Sequence, residues 1–190
     1  MILALDPGLR SCGFAVLYAD ELLDLGVLAT SDEGRIIDRL AELADDLCEL
    51  SKNYRPSEIV AESPTWPRDA SSAAKLAAAF GLTMGVARYA DCDFTPLSTG
   101  EWRRLLELPA EKLPRAPKVS ADDKAAGKAR EKQRREAKGR RKAATEAYMR
   151  ARWPGAAARL ESVQTTLHEH AWDALAIGTA RLVQLQRRAA

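Results

Sequence analysis

The chain has 190 residues, 46% of them hydrophobic, and carries 29 Lys+Arg against 27 Asp+Glu for a net charge of +2. That length suits a single domain with a full core, and no apolar run reaches the roughly 18–20 residues of a bilayer span. Three scattered cysteines and two histidines exclude a disulfide framework and a Cys- or His-rich zinc site, and the opening residues lack a basic leader, so a cytoplasmic protein with reduced thiols is expected.

Residues 2–6 (ILALD) are a short apolar run closed by an acid, the pattern of a buried strand, and Asp6-Pro7-Gly8 is a turn signal. Residues 12–19 and 22–29 read as two further strands joined by a hairpin at Asp20-Glu21. Between 33 and 53, Ile36, Ile37, Leu40, Leu43, Ala44, Leu47 and Leu50 recur at spacings of three and four, which predicts an amphipathic helix. Residues 58–62 (EIVAE) are a fourth strand. A loop with two prolines follows at 63–70, then an alanine-rich helix over 71–88 capped by Asp69 or Ser71. Its small residues Ala73, Ala74, Ala77, Ala78, Gly81 and Gly85 suit close approach of another helix. Residues 93–97 form a fifth strand and 100–107 a short helix. Residues 109–139 hold almost no large apolar side chain and read as a mobile or helical insertion. Helices at about 140–152 and 166–187 close the chain. A hairpin followed by alternating strands and helices implies an α/β fold with a five-stranded mixed sheet flanked by helices.

The charge is unevenly placed. Residues 111–142 contain 13 Lys/Arg and 5 Asp/Glu, a surplus of +8, which leaves −6 for the rest. An acidic body with one basic segment points to a polyanionic partner, nucleic acid first. The segment is expected to extend a DNA-binding face with salt-sensitive affinity.

Asp6 and Glu62 each end a predicted buried strand, where an unpaired charge is costly. Ends of parallel strands open onto one crevice in an α/β sheet. His170 and Asp173 are three apart in a predicted helix and share a face. If that helix covers the same edge, four ligands converge. An oxygen-rich set without sulfur suits Mg²⁺ or Mn²⁺.

These motifs together resemble the RuvC family of Holliday-junction resolvases, within the RNase H-like superfamily. The resemblance lies in ILALDPGLRSCGFAVL, in Glu62 at the end of the fourth strand, and in His170-Ala-Trp-Asp173-Ala-Leu-Ala. It covers nearly the whole chain apart from 109–139, a departure that suggests a phage or mobile-element member. It implies an RNase H-like fold and a Mg²⁺-dependent, homodimeric endonuclease that cuts four-way or other branched DNA, with Mn²⁺ as a substitute. Asp6 would bridge two ions about 4 Å apart. Glu62 would hold one ion, Asp173 the other, and His170 would stand beside Asp173 as a neighbour or outer ligand. Glu169 is a local rival ligand, and His168 is expected at the surface. Lys142 corresponds to a family lysine acting near the scissile phosphate. Trp66 would stack on opened bases. Arg68, Lys75, Arg103, Arg104, Arg140 and Arg141 are further expected DNA contacts, and the helix at 71–88 the expected dimer face. Competing readings are an RNase H-like nuclease that processes RNA and a junction-binding protein with weak catalysis. An actin-like ATPase would need two such domains.

Overall fold

The computed structural model describes residues 1–31, 33–64, 69–109 and 124–189. Five strands, β1 (Ile2–Asp6), β2 (Ser11–Tyr18), β3 (Glu21–Ala29), β4 (Glu58–Glu62) and β5 (Asp93–Leu97), form one sheet in the order β3-β2-β1-β4-β5. β1, β2 and β3 are antiparallel neighbours, whereas β1–β4 and β4–β5 are parallel. The helices are α1 (Ile36–Tyr54), α2 (Ala70–Tyr89), α3 (Thr99–Leu105), α4 (Lys124–Arg152) and α5 (His168–Ala189).

Both faces of the sheet are covered, so β1 is apolar on both and alternation sorts its side chains between two cores. Leu3 and Leu5 join Ile59, Ala61, Leu43, Leu47 and Val86 on the face of α1 and α2. Ile2 and Ala4 join Val60, Ala15, Leu17, Trp102, Met149 and Leu175 on the face of α3, α4 and α5. α5 lies very close to the strands. A Cβ on Gly178 would stand 2.5 Å from Leu17 Cδ1 and 2.8 Å from Ala4 Cβ, so glycine there and alanine opposite set the layer spacing.

The elements follow the sequence expectation with one correction. No break falls at residue 140: α4 is continuous over 29 residues, about 44 Å. Its first turns are built from residues expected to belong to the insertion. Ala, Lys, Arg, Glu and Gln are strong helix formers, and they carry the helix through Gly139, whose missing side chain meets nothing. α4 ends at Arg152, ahead of Pro154. The Trp153 indole then donates to the Thr179 hydroxyl of α5 at 3.0 Å, fixing the end of α4 to the body.

α2 is anchored through Ala79, Thr83, Val86 and Ala87. By length and composition it is the one helix among the described residues apolar enough to cross a bilayer, although it carries Lys75 and Arg88. The side chain of Asp69 caps it, accepting from the Ser72 amide at 2.7 Å.

Candidate active site

Strand parity aims the first two acids. Asp6 follows Ile2 and Ala4 on β1, and Glu62 follows Val60 on β4, so both face the α5 layer. β1 and β4 are parallel with Leu5 beside Ala61, so the two acids stand at neighbouring strand ends. The first turn of α5 brings His170 and Asp173 over the same edge.

Gly13 is what lets α5 come that close. It pairs with Asp6 across β1 and β2. A Cβ on Gly13 would lie 1.9 Å from the His170 carbonyl oxygen, an impossible approach for any other residue. With glycine there, His170 Nδ1 reaches Asp6 Oδ2 at 2.7 Å. That contact, helped by the nearby acids, raises the His170 pKa despite burial.

α3 holds Glu62. Its first residue, Thr99, donates its hydroxyl to Glu62 Oε1. The helix start is fixed by a capping box in which the Ser98 hydroxyl and the Glu101 carboxylate satisfy each other's backbone amides. The buried indole nitrogen of Trp102 makes no hydrogen bond of good geometry within the described residues, yet its N–H dipole faces Glu62 and lowers its pKa somewhat. Burial and the Asp6 charge outweigh these contacts and push Glu62 up to about 7. Burial, with Asp6 and Glu62, likewise lifts Asp173 well above the carboxylate range.

Three carboxyl groups are therefore gathered where they cannot all ionise comfortably by themselves. That is the donor chemistry a hard divalent cation suits: carboxylate oxygens, with one imidazole at the rim. As placed, no three His, Cys, Asp or Glu side chains among the described residues already clasp one point. The set fits ions spread between Asp6, Glu62 and Asp173 better than a single closed cage.

α4 forms a cationic wall over this edge. Lys142 pairs with Glu169, the residue before His170. Burial raises the Glu169 pKa, but Lys142 more than offsets it and the net shift is downward. A cleft of about 550 Å³ opens between α3, α4 and the acids, lined by Glu62, Trp102, Arg134, Lys138, Arg141 and Asp173 among others. Arg103 also borders it but is 8% exposed. Its guanidinium donates to the Thr145 hydroxyl at 2.9 Å and lies over the Trp102 ring, so it ties α3 to α4 and presents little of itself to a ligand. Burial and Arg141 lower its pKa.

The structure thus brings together Asp6, Glu62, His170, Asp173, Lys142 and Arg141. Lys75, Arg104 and Arg140 are exposed at the surface. Trp66 and Arg68 lie outside the described residues. His168 is half-buried, its Nε2 2.8 Å from the Val163 carbonyl oxygen. Sequence reasoning missed Thr99, Trp102 and the brace role of Arg103. Only the capping signal Ser98-x-x-Glu101 marks α3 as a placed element.

The family model described as "Crossover junction endodeoxyribonuclease RuvC" matches residues 2–95. The crossover junction endodeoxyribonuclease RuvC of Legionella pneumophila (strain Corby) is 31% identical over 88 residues, 44% of this chain and 51% of that protein. That of Synechococcus sp. (strain RCC307) is 35% identical over 96 residues, 46% and 60%. The chain spans about half the length of the first of these. The solved structure of T. thermophilus RuvC in complex with Holliday junction substrate superposes with a TM-score of 0.68 over 98% of this chain and 95% of that one. At 17% identity this speaks for the fold. The matched residues carry Asp6, Gly13 and Glu62, and the likeness of fold extends over the rest: the chain is similar to the RuvC family in sequence over just under half its length and shares the fold of a RuvC structure over 98% of it.

Proposed function

We propose that this chain is a structure-selective endonuclease that resolves four-way and other branched DNA by hydrolysing phosphodiesters, leaving 5′-phosphate and 3′-hydroxyl ends. One observation carries the reading: acids from two strand ends and the first turn of α5 meet under a cationic helix. Mg²⁺, with Mn²⁺ as a substitute, would hold the scissile phosphate, activate water and stabilise the leaving oxygen when bound. Asp6, Glu62 and Asp173 would hold the ions, with Asp6 as the ligand they share. His170 orients Asp6 through Nδ1. Thr99 fixes the Glu62 carboxylate. Lys142 balances charge developing on the phosphate, and a phosphate entering the site competes with Glu169 for its ammonium group.

Paired cuts on opposed strands need two sites related by a two-fold axis. α2 is the face we assign to a homodimer. Gly81 and Gly85 have open space where a Cβ would be, and Met84 between them is 49% exposed. Met84→Glu should convert a dimer to monomer in sedimentation at micromolar concentration. A wild-type chain that is already monomeric there would remove the assignment.

The test of function is cleavage of a synthetic four-way junction with Mg²⁺ beside a matched linear duplex. Paired nicks in the junction are expected, with a loss on the order of 10³-fold or more in Asp6→Asn. Junction binding without cleavage in either Mg²⁺ or Mn²⁺ would leave a junction-binding protein instead.

A further inference from the structure

The first half of α4 carries more charge than the chemistry at its second half needs, and that charge is sorted by face. Arg134, Lys138, Arg141 and Thr145 follow one another at steps of four, three and four, so they share one side of the helix. All four line the cleft beside Glu62 and Asp173. Arg135 lines it too, 3.4 Å from Glu131 one turn back. Lys128 and Lys132 are exposed and lie away from the cleft. From Arg134 to Lys142 the helix rises about 12 Å, the span of roughly three phosphates of one strand.

The opposite wall is α3, with Trp102 and the braced Arg103, and the floor is the acid cluster. At about 550 Å³ the cleft is the size of a small-molecule site. It has room for a stretch of one strand, and a volume of that size is too small to enclose a duplex.

We propose that Arg134, Lys138 and Arg141 form a phosphate rail that seats an unpaired stretch of the strand being cut, so that this chain favours branched DNA with single-stranded character next to the crossing point. The inference rests on the endonuclease reading above and names the substrate class within it. A basic face meeting a polyanion supplies the attraction, and the narrow cleft supplies the selection against paired strands. Two of the three rail residues, Arg134 and Lys138, belong to the segment that departs from the sequence pattern of the family, so the preference would be particular to this chain.

The test measures binding by fluorescence anisotropy in Ca²⁺, across a salt series, for a fully paired four-way junction and for the same junction gapped at its centre. Wild-type, Arg134→Ala/Lys138→Ala and Lys128→Ala/Lys132→Ala proteins are compared. The two double variants remove equal charge from one helix, the first pair inside the cleft and the second outside its lining. Wild-type protein is expected to bind the gapped junction at least about fivefold more tightly. Arg134→Ala/Lys138→Ala should abolish that preference and flatten the salt slope on the gapped junction by about 1.4, two single-strand contacts at 0.7 each. Lys128→Ala/Lys132→Ala should keep the preference. Equal losses from both double variants, or no preference in wild type, would overturn the rail. Failure of wild-type protein to bind either junction would instead remove the endonuclease reading itself.

Discussion

The two ends of α5 treat buried acids in opposite ways. At the far end, Glu58 at the start of β4 meets Arg181 through two contacts, 3.1 Å to Nε and 2.8 Å to Nη2, and accepts from the Thr95 hydroxyl. Its charge is matched inside the protein. At the near end, Asp6, Glu62 and Asp173 share one edge with a single imidazole, and the ammonium of nearby Lys142 is paired with Glu169 instead. Both ends use the same sheet face and the same helix, about 12 Å apart along its axis. The difference separates an acid paired within the fold from acids that crowd one another, the set proposed above to receive a cation. A buried carboxylate is informative only with its partner named.

The contrast makes unequal demands on stability. Arg181→Met strands Glu58 without a partner and should cost about 3–5 kcal/mol in urea unfolding. Glu58→Met/Arg181→Met should restore most of it, and cleavage per folded molecule should stay within a few-fold of wild type. A Gly13→Ala change acts at the near end. Its new Cβ collides with the His170 carbonyl and lifts the first turn of α5. Overpacking of this kind costs roughly 1–3 kcal/mol, and a displaced His170–Asp173 pair should lower junction cleavage by about 10²-fold. Cleavage that survives unchanged would show that the close approach is dispensable.

The smallest effect is in pH. Glu62 has a folded pKa of about 7 against 4.5 unperturbed. Between those values the folded chain binds more protons than the unfolded one, so metal-free stability falls as pH rises. Below 4.5 the contribution is complete, and above about 7 it is lost. Thermal unfolding in EDTA should show a loss on the order of 1–2 kcal/mol from pH 5 to 8, reversed by Mg²⁺. A metal-free protein that gains stability over that range would contradict a repelling acid cluster.

The sequence makes the near end more legible than the far one. Asp6-Pro7-Gly8 and His170-x-x-Asp173 carry their placement in local pattern, because a strand end and a helix face are fixed by periods of two and 3.6. Glu58 sits at the start of the same strand as Glu62, but its partner lies 123 residues away and no local rule pairs them. Gly13 stands out in an apolar strand, yet its purpose depends on a helix 157 positions later. The start of the helix expected at about 140 differs from the structure for a physical reason. Weak burial made residues 109–139 look like a segment apart, whereas the propensity of its second half carries the helix on into Lys142. Arg103 reads as a DNA contact because its charge is visible in the sequence and the hydroxyl of Thr145 that it meets is not.

The contact between Asp6 and His170 joins residues 164 positions apart. A chain still being made, with β1 to β5 already paired, carries only two of its acids in place. The remaining pair arrives with the final helix, and that helix docks only after both halves of the sheet exist. Under the proposed function, hydrolytic competence would then appear at one late step of folding rather than gradually, and half-built molecules would not cut the nucleic acid around them.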